Sequence, residues 1–98
     1  MSPIVKPIFR DKRTEQFAQG RRIAAFAAFE RSAERRLLIV LSATSLADLA
    51  QVPGWRLEAL RGNRVGQWSI RINDQWRICF EWPEDIGHAV NIEIVDYH

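Results

Sequence analysis

The sequence has few of the residues that small proteins use for disulfides and metal sites. Its 98 residues include one cysteine and two histidines, so an internal disulfide is excluded and a structural zinc site is not expected. No apolar run approaches the roughly 20 residues that a membrane-spanning helix needs, and the first residues lack the pattern of a signal peptide. We therefore expect a protein of the reducing cytoplasm that has no membrane contact, metal or cofactor.

Lysine is also scarce, because twelve of the fourteen basic residues are arginine. Arginine binds phosphate through two parallel hydrogen bonds and stacks on bases, so this composition favours RNA as a partner. An arginine-rich composition can also reflect genomic base content. Residues 6–36 hold nine basic residues against four acidic ones, whereas residues 78–98 hold five acidic residues and no lysine or arginine. The positive charge is thus concentrated ahead of the last strands.

The length and the apolar content predict one folded domain, spanning residues 1–98. A chain of this size buries roughly 60 to 70% of its surface, which is enough for a single core. The apolar fraction of 47% and the four tryptophans favour a folded globule. We therefore expect one functional site.

The segment from Trp55 to Trp82 predicts three antiparallel strands in succession. In the last strand four apolar residues alternate with polar ones, and a period of two gives one buried and one exposed face. These four are Trp76, Ile78, Phe80 and Trp82. Turn residues at 62–66 and 73–75 suit the two connections.

The same alternation defines a polar face of the sheet that we expect to be exposed. Its residues are Arg56, Glu58, Gln67, Ser69, Arg71, Arg77, Cys79 and Glu81, with Arg61 and Arg64 in the adjoining loop. A rigid surface rich in arginine can hold phosphates, although any sheet covered on one side has a solvated polar face. Cys79 is expected to be inert.

Helices are predicted before the sheet, and strands at both ends of the chain. The predicted helices are Lys12–Gln19, capped by Asp11 and ended at Gly20, an amphipathic helix at about Ala24–Ala43, and Leu46–Ala50, capped by Thr44 or Ser45. The segment Ile4–Phe9 is predicted as an edge or terminal strand because Pro7 has no amide hydrogen, and Ala89–Val95 as the last strand. The predicted fold class is α+β, with a small antiparallel sheet and N-terminal helices packed on one face.

Three separated motifs resemble the HigB branch of the RelE-like toxins of bacterial toxin–antitoxin systems. They are LEALRGNRVGQWSI, WRICF and the terminal DYH, and the resemblance covers about residues 4–98. It implies the fold predicted above, cleavage of messenger RNA, typically in the ribosomal A site, and neutralisation by a helix-turn-helix antitoxin of the HigA type. Operator DNA would be bound only through the antitoxin. The alternative is a catalytically weak RelE-like protein that acts through antitoxin complex formation and operator regulation.

The resemblance also assigns roles to individual residues. Cleaving RNA without a metal needs a base for the 2′-hydroxyl, cationic donors for the phosphorane and an acid for the 5′-oxygen. Arg77 of WRICF matches the phosphate-stabilising arginine, and Asp96, Tyr97 and His98 match the proton-transfer residues, with acid and base unassigned among them. The predicted RNA-binding residues are Arg61, Arg64, Arg71, Arg31, Arg35 and Arg36.

One position departs from the pattern. Some HigB-type toxins have a histidine where this chain has Glu58, so the role of that histidine does not transfer. Glu58 is either a general base, if its environment raises its pKa, or an ion-pair partner of a neighbouring arginine. Trp68 is expected in the core rather than as a base-stacking platform, and His88 in an exposed loop.

Overall fold

A computed structural model describes residues 7–96 and has the predicted α+β architecture. The chain forms α1 (Lys12–Ala18), α2 (Glu30–Ser42) and α3 (Leu46–Ala50), followed by β1 (Glu58–Ala59), β2 (Gln67–Arg71), β3 (Trp76–Glu81) and β4 (Val90–Asp96). Within this range the strands make one antiparallel sheet in the order β1-β2-β3-β4. The predicted meander is confirmed. The predicted last strand is confirmed with its bounds shifted by one residue.

The core lies between the helices and the apolar face of the sheet. Ile70, Ile78 and Ile94 stand opposite one another on β2, β3 and β4 and are fully buried. Phe26 packs edge-on against Trp76, with ring centroids 5.6 Å apart. Burying side chains of this size is the main favourable contribution to folding, at about 1.5 to 3 kcal/mol for each.

The predicted helix caps are confirmed. The side chain of Asp11 accepts a hydrogen bond from the amide of Thr14 at 3.1 Å, and Ser45 accepts one from Asp48 at 3.2 Å. Each bond satisfies an amide in the first turn that has no partner within the helix. Gly20 follows α1 with φ of 95°, a backbone conformation that glycine adopts without strain. The first helix ends at Ala18, one residue before the predicted end.

The prediction of one continuous helix over residues 24–43 is wrong. Residues Ala24–Phe29 form a 3₁₀ helix, and α2 begins at Glu30. Phe26 and Phe29 are three residues apart, and a 3₁₀ helix repeats every three residues. Both rings therefore reach Trp76, with centroid distances of 5.6 and 5.2 Å. An α-helix also places residues three apart on one face, so the spacing of these two aromatic residues does not by itself distinguish the two kinds of helix.

The prediction that the first strand begins near Trp55 is also wrong, because β1 has only two residues, Glu58–Ala59. Arg56 has φ of 50°, which a β-strand cannot contain. The chain turns at this residue, and Trp55 is buried in the core.

The outer edge of β4 is covered by the N-terminal part of the chain. Phe9 forms a parallel bridge with Ile92, and the hydroxyl of Thr14 accepts a hydrogen bond from the amide of Ile94 at 3.0 Å. The predicted terminal strand is therefore present as a single bridge, and its residues 4–6 lie outside the described residues. These contacts satisfy backbone groups that would otherwise form an open sheet edge.

Residues 7–96 contain no helix that is long and apolar enough to cross a membrane.

Candidate active site on the polar face of the sheet

Arg77 lies on the face of β3 opposite to the helices. Its Nε donates a hydrogen bond to Oγ of Ser69 at 2.8 Å, and its Nη2 donates to the carbonyl oxygen of Arg56 at 2.9 Å. The carboxylate of Glu58 is 3.8 Å from Nη2, and the Arg77 side chain is 14% exposed. The guanidinium is thus near the surface and has defined acceptors on two neighbouring segments. We call Arg77, Arg71, Glu58, Ser69 and Arg56 the arginine site.

Arg71 stands directly opposite Arg77 in the β2–β3 register. Like charges opposite each other on one face of a sheet repel. Arg71 forms an ion pair with Asp74 in the hairpin turn, and Arg77 lies beside Glu58. Each arginine therefore has its own carboxylate partner. The two guanidinium groups nevertheless bring two positive charges to one place on the sheet.

Glu58 lies at the edge of the arginine site, and its side chain is 55% exposed. The ion pair with a neighbouring arginine, one of the two predicted roles, is present as the contact with Arg77. A role as general base stays a prediction. Glu58 and the exposed Arg61 also line a shallow depression of about 530 Å³ along β1. The structure therefore brings Arg61 to the same side of the site as Glu58.

The carboxylate of Asp96 is not part of the arginine site. Asp96 stands opposite Trp76, whose ring packs in the core, so alternation places its side chain on the other face from Arg77. Its carboxylate accepts a hydrogen bond from the side-chain Nε2 of Gln75 at 2.8 Å. Tyr97 and His98, the other predicted proton-transfer residues, lie outside the described residues.

The expectation that the polar face is exposed throughout is wrong, because Ser69, Cys79 and Glu93 are buried. Glu93 is opposite Cys79 on β4, and its carboxylate accepts a hydrogen bond from Arg64 at 2.8 Å and lies 3.7 Å from Arg10. We call Glu93, Arg64 and Arg10 the Glu93 cluster. Arg64, a predicted RNA-binding residue, is thus paired with a buried carboxylate.

Burial also determines the chemistry of Cys79. The pKa of the thiol is raised to about 11, with burial as the largest cause and Glu93 acting in the same direction, whereas the surrounding arginines oppose the shift. Thiolate is the reactive form of cysteine, so Cys79 is unreactive at neutral pH. This agrees with the prediction that it is inert.

Arg36 differs in exposure and contacts from Arg31 and Arg35, the other two arginines of α2 that were predicted to bind RNA. Arg31 and Arg35 are exposed, whereas Nε of Arg36 donates to the carbonyl oxygen of Arg71 at 3.0 Å. The Arg36 guanidinium also lies 5.3 Å from the centre of the Trp55 ring. Burial, followed by the charges of Arg35 and Arg71, lowers the pKa of Arg36. These contacts favour a structural role for Arg36.

Sequence reasoning missed how the arginine site is built. The alternation put Ser69 on the correct face but gave no sign that its hydroxyl contacts Arg77. It also placed Arg56 in a strand, whereas the left-handed backbone there brings its carbonyl to the guanidinium. Arginine carries no sequence signal for that conformation, which glycine and asparagine usually adopt.

The remaining candidates have the expected positions. Trp68 is half-buried and packs against the core, and His88 is exposed in the loop before β4. Among residues 7–96, no group of three or more histidine, cysteine, aspartate or glutamate side chains is arranged to hold a metal ion.

A match to a protein-family profile identifies the family of this chain. The profile described as "RelE-like toxin of type II toxin-antitoxin system HigB" matches residues 7–98. The chain belongs to this family. The resemblance drawn from the motifs is confirmed, and membership of the HigB family implies an antitoxin as partner.

Two named relatives support the assignment to the HigB family. The chain is 38% identical over 81 residues to Toxin HigB-1 of Vibrio cholerae, covering 81% of this chain and 85% of that protein. It is 35% identical over 63 residues to Endoribonuclease HigB of Proteus vulgaris, covering 64% of this chain and 65% of that protein.

Proposed function

We propose that this protein is an endoribonuclease toxin that inhibits translation by cutting messenger RNA on the ribosome. The observation that carries the proposal is the arginine site, where Arg71 and Arg77 stand opposite each other on the polar face. The HigB family and the relative named Endoribonuclease HigB support the reaction class.

The carboxylates now paired with the two arginines can be exchanged for a phosphodiester. Asp74 is 96% exposed and Glu58 is 55% exposed, and ion pairs with such exposed partners contribute about 0 to 1 kcal/mol. A phosphate offers charged oxygens that match the planar guanidinium. RNA binding therefore replaces weak pairs with stronger ones and relieves the repulsion between Arg71 and Arg77.

The proposed reaction is an in-line transfer within the RNA. A base takes the proton of the 2′-hydroxyl, the 2′-oxygen bonds to phosphorus, and the bond to the 5′-oxygen breaks as an acid protonates it. Arg77 stabilises the negative charge that develops on the phosphorane oxygens. The family pattern assigns the proton transfers to Asp96, Tyr97 and His98. Because the carboxylate of Asp96 lies on the other face of the sheet from Arg77, we assign them to Tyr97 and His98, with Glu58 as a further candidate base. Val95, the cross-strand neighbour of Arg77, precedes these three terminal residues directly in the sequence.

The shape of the site supports the proposed ribosome dependence. In-line attack requires the 2′-oxygen, the phosphorus and the 5′-oxygen to be aligned, and positioning of this kind contributes several kcal/mol. The depression beside Glu58 is shallow and does not enclose a strand of RNA. A ribosome holds the message in a fixed path and can supply this alignment. Exposed arginines of α2, Arg31 and Arg35, then contact ribosomal RNA through its phosphates.

The proposed setting is the cytoplasm, where ribosomes and messenger RNA are present. The proposed antitoxin is a helix-turn-helix protein of the HigA type, and operator DNA is bound only through it.

The test compares cleavage of one message, free and bound to ribosomes, by the purified protein. We expect slow cleavage of free RNA and fast cleavage on ribosomes, with the ribosomal rate falling as salt rises. Arg31→Gln with Arg35→Gln should weaken ribosome binding and make the fall of cleavage with salt shallower, because fewer phosphate contacts release fewer counterions. Arg21→Gln with Arg22→Gln removes the same charge from another exposed site and serves as the matched control.

Fast, salt-insensitive cutting of free RNA would contradict ribosome dependence and indicate a self-sufficient ribonuclease. Equal losses of ribosome binding in the two double variants would indicate that the net charge of the protein, rather than the arginines of α2, is responsible for binding. Absence of cleavage in both assays, together with normal growth when the protein is induced without antitoxin, would favour the catalytically weak alternative.

A further inference from the structure

Ser69 is a fully buried polar residue in the middle of β2. Its Oγ accepts a hydrogen bond from Nε of Arg77 at 2.8 Å. Serine is depleted in buried positions unless its hydroxyl has a partner, and here that partner is the guanidinium expected to contact phosphate. The cross-strand register fixes the distance, because Ser69 pairs with Cys79 and Arg71 with Arg77, so Ser69 lies diagonal to Arg77 on the same face.

The carbonyl oxygen of Arg56 provides a second fixed acceptor, for Nη2 of Arg77 at 2.9 Å. Two acceptors on different nitrogens of a planar group define the orientation of its plane, whereas one acceptor leaves it free to rotate. One is a buried hydroxyl on β2, and the other is a backbone carbonyl in the segment before β1. Glu58 cannot replace them, because it is 3.8 Å away and half exposed.

An arginine side chain is long and flexible, so an unsupported guanidinium would have to be ordered during each encounter with substrate. Hydrogen bonds formed during folding order it beforehand, and catalysis through electrostatic stabilisation depends on donors that are already aimed at the developing charge. A displacement of about 1 Å in a positioning contact can cost on the order of 100-fold in rate.

We propose that Ser69 is a positioning residue for RNA cleavage, and that its hydroxyl, together with the carbonyl of Arg56, orients Arg77 toward the scissile phosphate. The proposal rests on the role given to Arg77 in the proposed function. Ser69 itself does not touch the substrate, because it is buried beneath the side chain that does.

The experiment measures cleavage of ribosome-bound message by Ser69→Ala, Ser69→Thr, Arg77→Lys and the double variant Ser69→Ala with Arg77→Lys. Ser69→Ala should lower kcat by roughly 10-fold to 100-fold and leave KM within about twofold, because orientation rather than binding is lost. Ser69→Thr keeps the hydroxyl on a residue suited to a strand and should restore most of the rate. In the Arg77→Lys background, which lacks Nε–H, Ser69→Ala should have no further effect.

A readout that needs no substitution uses the Nε–H proton of Arg77 in the wild-type protein, observed by nuclear magnetic resonance. We expect slow exchange of this proton with water, and faster exchange in Ser69→Ala where that variant folds. Rapid exchange in the wild-type protein would overturn the proposal even if Ser69→Ala does not fold.

The outcomes separate the two proposals. Wild-type cleavage by Arg77→Ala would overturn the role of Arg77 in the proposed function, and the positioning role with it. Loss of cleavage in Arg77→Ala but a wild-type rate in Ser69→Ala would overturn the positioning role alone. An equal loss from Ser69→Ala in both backgrounds, or a change confined to KM, would also overturn it.

Discussion

Two arginines on the same face of the sheet, Arg64 and Arg77, have very different carboxylate partners. Arg64 donates to Glu93 at 2.8 Å, and Glu93 is 11% exposed. Arg77 lies 3.8 Å from Glu58, which is 55% exposed. If its partner leaves, Glu93 has little access to water, whereas Glu58 is already largely solvated. The Glu93 cluster therefore stabilises the fold, and the arginine site can exchange its carboxylate for a substrate phosphate.

The difference shows that residue type and sheet face do not determine the role of an arginine. Both arginines were predicted to contact RNA, and both belong to motifs that carry the family resemblance. What distinguishes them is the burial of the group left behind when the pair is broken, because an unpaired buried charge costs far more than an exposed one.

The largest expected effect is on cleavage by Arg77→Ala. Removing a donor to the developing charge typically costs about 100-fold to 1000-fold in rate. Among the described residues, the groups left behind are the buried but neutral hydroxyl of Ser69, a carbonyl and the exposed Glu58, so the free energy of unfolding should fall by about 1 kcal/mol, the low end of the cost of an unpaired neutral group. A translation-coupled cleavage assay and urea denaturation measure the two quantities. A wild-type rate would remove Arg77 from the active site.

Arg64→Ala should have the opposite effects, with a larger loss of stability and a smaller loss of cleavage than Arg77→Ala. Among residues 7–96, it leaves the buried Glu93 carboxylate with the longer contact to Arg10, so the free energy of unfolding should fall by about 2 kcal/mol. Cleavage by the folded fraction should stay within about fivefold of wild type. Any contact of Arg64 with RNA would be a solvent-exposed ion pair, which contributes up to about 1 kcal/mol.

Adding Glu93→Gln to Arg64→Ala provides the control, because it removes the unpaired charge and should recover part of the lost stability. Unchanged stability in Arg64→Ala, or a loss of cleavage as large as that of Arg77→Ala, would show that the two arginines do not differ as described.

The smallest effect is expected from Glu58→Gln, which keeps the shape of the side chain and removes its charge. If Glu58 is an exposed ion-pair partner, cleavage should fall by less than about fivefold. A general base would cost about 100-fold or more. Glu84→Gln, in the exposed loop before β4, is the matched control. A loss of cleavage near 100-fold for Glu58→Gln, without a similar loss for Glu84→Gln, would indicate that Glu58 is the general base.

Much of the fold could be predicted because its signals are local. Alternation along β2 and β3 depends only on which residues are apolar, and the caps at Asp11 and Ser45 depend on one side chain and a nearby amide. The two errors, the continuous helix and the long first strand, have a common cause. At Phe29 the backbone conformation is set by packing against Trp76, and at Arg56 by the burial of Trp55 in the core. In both places tertiary packing overrides the local preference for helix or strand.

Composition, periodicity and three family motifs are enough to predict the fold class, the polar face and the presence of Arg77, Arg71 and Glu58 on it. Which arginines are bound internally depends on tertiary contacts. Ser69, Arg56 and Glu93 come from three separate segments, and their contacts with Arg77 and Arg64 exist only when the strands are in register. Burial decides which arginine can exchange its carboxylate partner. The cost of separating a charge from its partner depends on whether water can reach the group that remains.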